Sequence, residues 1–167
     1  IYSRCQVINV NPLKTADLNE WLISKGISDV NATDFPSFMS PLRILDDLEK
    51  NEHLNFKEFI NILIDFLSSK SDIHLTIKSI TALDINLIMK INYLIEFLKI
   101  ILKSKLLSEN LSGIYNTFNN STFSNLKISN LINDLNDLRF DYFKVPQINE
   151  THVLNYFLSE VKNSIKI

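Results

Sequence analysis

Glycine occurs twice in this chain, at Gly26 and Gly113, and that scarcity excludes a good deal. A loop that wraps phosphate with its backbone needs glycine wherever a side chain would block the approach, so no phosphate-cradling loop is encoded. Cysteine occurs once, at Cys5. A lone cysteine excludes an internal disulfide framework and a cysteine-based zinc site, and it fits a reducing compartment. Arginine occurs three times, at 4, 43 and 139, in a chain of net charge −2. Nucleic-acid binders carry a basic stripe with arginine for bidentate phosphate or guanine contacts, so no nucleic-acid partner is expected.

The chemistry of an active site is equally thin. His53, His74 and His152 lie far apart, and none has a glutamate or histidine at the helical spacing that builds metal sites. Asp84-Ile85-Asn86 opens like a calcium loop, but Met89 and Ile95 stand where the required glycine and glutamate would be. Cys5 has no histidine nearby in sequence and reads as an inert thiol. The reading is therefore of a protein that is not an enzyme, with no catalytic, cofactor-binding or metal residues.

What is present is apolar mass. The 167 residues are 46% hydrophobic and 22% charged, enough for one globular domain that buries about 70% of its unfolded surface. Isoleucine (23) and asparagine (20) swamp alanine (3), the codon usage of an A+T-rich genome. Residues 1–14 read as an extended arm, 15–107 as core helices, 108–125 as a mobile loop and 126–167 as C-terminal helices.

Local signals place the elements. Thr15 is a candidate N-cap for a helix with Leu18, Trp21 and Leu22 on one stripe, and Gly26 supplies the left-handed residue that ends it. Residues 28–39 read as a loop anchored by Phe35 and Phe38. Ser40-Pro41 then starts a helix to Lys50, with Leu42, Leu45 and Leu48 inward and Asp46, Asp47 and Glu49 outward. Asn55 and Glu58 form a capping box for a buried helix ending at Leu67. The alternation in 72–80 suits a strand, but a loop leading into a helical turn fits the surroundings better. Asp84 is read as the cap of a long helix to Leu107. Later helices run over about 126–138, with Ile128, Leu131, Ile132, Leu135 and Leu138 inward, and from Asn149 onward, with Val153, Leu154, Phe157, Val161 and Ile165 inward. Trp21, Phe59, Leu63, Ile91, Leu94 and Leu98 are the predicted core.

The stretch 83–107, "LDINLIMKINYLIEFLKIILKSKLL", is the most apolar, yet it is not a membrane span. Lys90, Glu96 and Lys99 would lie inside the bilayer, where each charge costs about 2.5–3.5 kcal/mol. Leu87, Ile91, Leu94, Leu98 and Ile101 form one stripe; Ile88, Ile95 and Leu102 form a second beside it. A narrow polar strip of Asn86, Lys90, Glu96, Lys99 and Lys103 remains. The second stripe either joins the core or lends itself to a partner helix. On the partner reading the binding residues are Ile88, Ile95, Leu102, Lys99 and Lys103.

The order "LNEWLISKGISD" (18–29), "PLRILDDLEK" (41–50), "FKEFINILIDFL" (56–67) and "IKSITALDINLIMKINYLIEFLKIILKS" (77–104) resembles the N-terminal domains of the Hook and NuMA proteins. These have a divergent calponin-homology fold. The resemblance implies an all-α, calponin-homology-like domain of six to eight helices around long buried central helices. It also implies a cytoskeletal, spindle or dynein-type adaptor that seats an amphipathic helix in an apolar groove, binds microtubules or actin, or forms a homodimer through a flanking coiled coil. An intracellular, cytoplasmic or cytoskeletal setting follows from it. The alternatives are a viral or parasite Bcl-2-like decoy, although no Asn-Trp-Gly-Arg motif is present, and a structural helical domain of a larger assembly. No repeat of the HEAT or armadillo kind is detectable.

Overall fold

The computed structural model describes residues 15–50, 53–142, 144 and 148–167. The expected arm, 1–14, and the break at Pro146 lie outside the described residues. The chain divides into two units, 1–32 and 33–167. Among the described residues the structure is all-α: seven α-helices, two short 3₁₀ helices and one two-stranded sheet.

In the first unit, α1 (Thr15–Ser24) ends as its glycine predicts. Gly26 takes φ 78°, and the amides of Gly26 and Ile27 donate to the carbonyls of Ile23 (2.9 Å) and Leu22 (3.0 Å). That is the Schellman pair of bonds, which satisfies carbonyls a helix end otherwise leaves open. The following loop is tied back to the helix by Ala32 N–H donating to Asn19 Oδ1 at 2.7 Å. Leu22 is buried, but Trp21 is only half-buried, so it is not the core residue expected.

The second unit holds α2 (Pro41–Lys50), α3 (His53–Leu67), α4 (Ile73–Ala82), α5 (Leu87–Leu107), α6 (Asn125–Tyr142) and α7 (Glu150–Ser164). Strands β1 (Thr122–Phe123) and β2 (Ile165–Lys166) pair antiparallel, Phe123 opposite Ile165. The core runs along α5. Tyr93 meets the rings of Phe56 and Phe59 edge-on at 4.9 and 5.6 Å, which joins α5 to α3. Phe97 meets Phe118 at 5.2 Å, which joins α5 to the 3₁₀ helix Gly113–Phe118. α6 lies along α5, and α7 closes over α4 and α6. Phe59, Leu63, Ile91, Leu94 and Leu98 are all buried, as predicted.

Several elements differ from the sequence reading. α2 is rotated: Ile44 and Asp47 face inward and Leu42 is 74% exposed. Arg43 reaches Asp47 at 3.7 Å, and a partnered carboxylate can be taken inside where a bare one cannot. α3 starts at His53, so Asn55 is inside the helix rather than its cap. The 72–80 segment is neither strand nor single turn but the ten-residue helix α4, begun by Asp72 Oδ1 accepting the Leu75 amide at 2.9 Å. α5 is capped by Asn86, which accepts the Met89 amide at 2.9 Å, while Asp84 stays exposed in the bend before it. In the loop at 28–39, Phe35 is buried but Phe38 is 54% exposed. The segment 108–125, expected as a loop, contains a 3₁₀ helix and β1, and Asn119 clamps Leu111 through its amide and carbonyl at 2.7 and 3.0 Å.

Candidate functional site: the exposed edge of the long helix

α5 has 21 residues, and its polar strip does not stay polar on the outside. Lys90 and Glu96 are buried, contrary to the sequence reading. Lys90 Nζ donates to Glu150 Oε1 at 2.8 Å and to the Thr81 carbonyl at 3.5 Å, so one ammonium ties the end of α4 to the first turn of α7. Both contacts are with electronegative groups that a helix C-terminus and a first-turn acid naturally present. Glu96 Oε1 accepts the Ser37 amide at 2.9 Å and fixes the loop before α2. Tyr115 is buried beside Phe97, with no hydrogen-bond partner for its hydroxyl among the described residues. Burial first, and then the nearby charges of Glu96 and Asp34, push its ionisation well above the ordinary tyrosine range.

The predicted partner-binding residues separate. Ile95 is 3% exposed and belongs to the protein's own core. Ile88 and Leu102 are half-buried, Leu102 packed against that core. Lys99 and Lys103 are exposed. The structure adds residues the sequence reading missed: Leu106 (62% exposed) and Leu107 (54%) at the end of α5, and Leu126 (71%) at the start of α6. Lys99, Leu102, Lys103 and Leu106 follow i, i+3, i+4, i+7 and so share one face. That spacing was the available signal for Leu106.

Two bonds set the register of α6. Arg139 Nη1 donates to Asn92 Oδ1 at 3.0 Å near one end, and Lys105 Nζ donates to the Phe123 carbonyl at 2.8 Å near the other. The helices are therefore antiparallel, with Leu126 about level with Lys103 and Ser104 and Lys127 with Leu102 and Lys103. The result is a small apolar surface rimmed by ammonium groups.

A second concave feature lies away from α5. A cleft of about 560 Å³ between α4 and α7 is lined by His74, Ile77, Lys78, Thr81, Thr151 and Asn155. His53 is buried against Phe35, its Nδ1 without a partner among the described residues, while His74 and His152 are exposed. Among the described residues no three of His, Cys, Asp and Glu come together as a metal site.

No known relative decides the function. Comparison with protein-family models, with curated proteins and with solved structures gives no match.

Proposed function

We propose that this chain is a non-enzymatic protein–protein interaction module that takes an amphipathic helix of a partner along the exposed edge of α5. One observation carries the reading. Leu106 and Leu107 are exposed on a helix whose other apolar residues are all buried or half-buried. Each leucine is a little over half exposed and so forgoes roughly half of the about 1.5–3 kcal/mol that full burial contributes, which a docked apolar face would recover. Leu102 and Leu106, one turn apart, have the spacing that seats the anchors of a partner helix. The resemblance of 18–104 to Hook- and NuMA-type domains supports an adaptor of the cytoskeletal, spindle or dynein kind.

The test is affinity capture with the wild-type chain and with a Leu106→Asp, Leu107→Asp variant whose circular dichroism is unchanged. Loss of a helix-bearing partner from the variant is the expected result, and identical partners on both would refute the reading. Co-sedimentation with microtubules and with actin separates the alternatives. Pelleting that persists at physiological salt and is indifferent to both leucines would replace helix docking with filament binding.

A further inference from the structure

This inference rests on the docking reading above and deepens it: we infer that the partner helix is acidic along the margins of its apolar stripe. After Glu96, the rest of α5 carries Lys99, Lys103 and Lys105 and no acid, in a chain whose net charge is −2. Lys105 is engaged, over the Phe123 ring at 4.3 Å and bonded to its carbonyl. Lys99, Lys103 and Lys127 are exposed and form no ion pair among the described residues. Glu109 is the neighbouring acid, held near by its amide and carbonyl, both bonded to Ser104.

The ordinary explanation of such lysines is the helix dipole, which favours cations in the last turn. It accounts for Lys105 and no further. Lys99 lies two turns before the end of α5, and Lys127 lies in the first turn of α6, where the dipole disfavours a cation. A surface that gathers unpaired ammonium groups around exposed leucines, against the sign of the chain as a whole, is complementary to apolar residues flanked by carboxylates. Lys99 to Leu106 spans about 10 Å, two helical turns, which matches two turns of a docked helix. An anionic bilayer would offer the same charge, but the acidic remainder of the chain is repelled by a broad negative surface and much less by a narrow helix.

The test uses the full chain, labelled with nitrogen-15, and two designed helical peptides. Both have leucines at i, i+3, i+4 and i+7; one has glutamates on the flanks, its twin has lysines. Titration with the glutamate peptide should shift the amides of 99–107 and 126–127, with affinity about tenfold or more above the twin's and falling with added salt. Lys99→Glu with Lys103→Glu, both surface changes, should reverse that preference while leaving the remaining spectrum in place. Equal binding of both peptides would overturn the acidic-partner inference and leave apolar docking standing. Binding of neither would overturn both. Shifts at these amides with phosphatidylserine vesicles but with neither peptide would overturn both in favour of a membrane surface.

Discussion

Ser69 and Ser108 occupy the left-handed region at φ 59° and 54°, where glycine is usual. Each ends a long helix, α3 and α5, with the bonds of a Schellman motif: Lys70 N–H to the Asp65 carbonyl at 2.9 Å, and Glu109 N–H to the Ser104 carbonyl at 3.0 Å. A chain with two glycines has to put other residues there. The cost of a left-handed L-residue is about 1–2 kcal/mol, against about 0.5–1 kcal/mol for glycine's extra chain entropy. Ser108→Gly should therefore raise stability by about 0.5–1 kcal/mol in urea denaturation, while Ser112→Gly, at an ordinary φ of −120°, should not. A side chain at Gly113 would be strained, since at φ 61° its Cβ would stand 2.9 Å from Thr33 Oγ1 and force that side chain to shift. Tyr115 gives a pH prediction. Its hydroxyl resists ionisation in the fold, whereas the unfolded chain ionises near pH 10. Its contribution to stability is thus unchanged below about pH 10 and falls above it, by up to about 1.4 kcal/mol per pH unit. Tyr115→Phe should flatten that alkaline fall in denaturation midpoints, and wild-type absorbance near 295 nm should show one tyrosine titrating only on unfolding.

Among the elements, α5 depends on α7 through one pair whose two members are unequally placed. The Lys90 side chain is 3% exposed and that of Glu150 is 31% exposed. Glu150→Gln strands an ammonium in the interior and should destabilise by about 3–5 kcal/mol. Lys90→Met leaves a carboxylate that water can still reach, so the loss in a thermal or urea scan should be much smaller. Equal losses would mean that Lys90 is solvated rather than enclosed. The same pair shows what was legible. Ser40-Pro41, Gly26 and Asn149 are legible because a cap acts on amides and carbonyls a few residues away; Asn149 Oδ1 accepts the His152 amide at 3.1 Å. Asp84 gives way to Asn86 because candidate caps two residues apart compete and packing chooses between them, and Asn55 lies inside α3, which starts at His53. The burial of Lys90 and Glu96 was not legible at all, since their partners Glu150 and Ser37 lie 60 and 59 residues away.

At the scale of the whole molecule, no helix among the described residues is long and apolar enough to cross a membrane, in agreement with the charges read along 83–107. The all-α class and the central position of the long helix also follow from the sequence, because apolar periodicity is a local property that any compact packing must honour. The scarcity of glycine and cysteine is likewise a property of the sequence alone, and it leaves no glycine-rich loop and no pair of cysteines for a disulfide. The question posed by the second stripe of α5 needed the tertiary structure. Periodicity placed Ile88, Ile95 and Leu102 on one face, but only the neighbouring elements decided that Ile95 is enclosed while Leu106 and Leu107 are not. The same holds for Leu126 and Lys127, which come level with the last turns of α5 because α6 returns antiparallel along it. A sequence specifies which residues avoid water; which surfaces remain after that avoidance is a property of the packed whole.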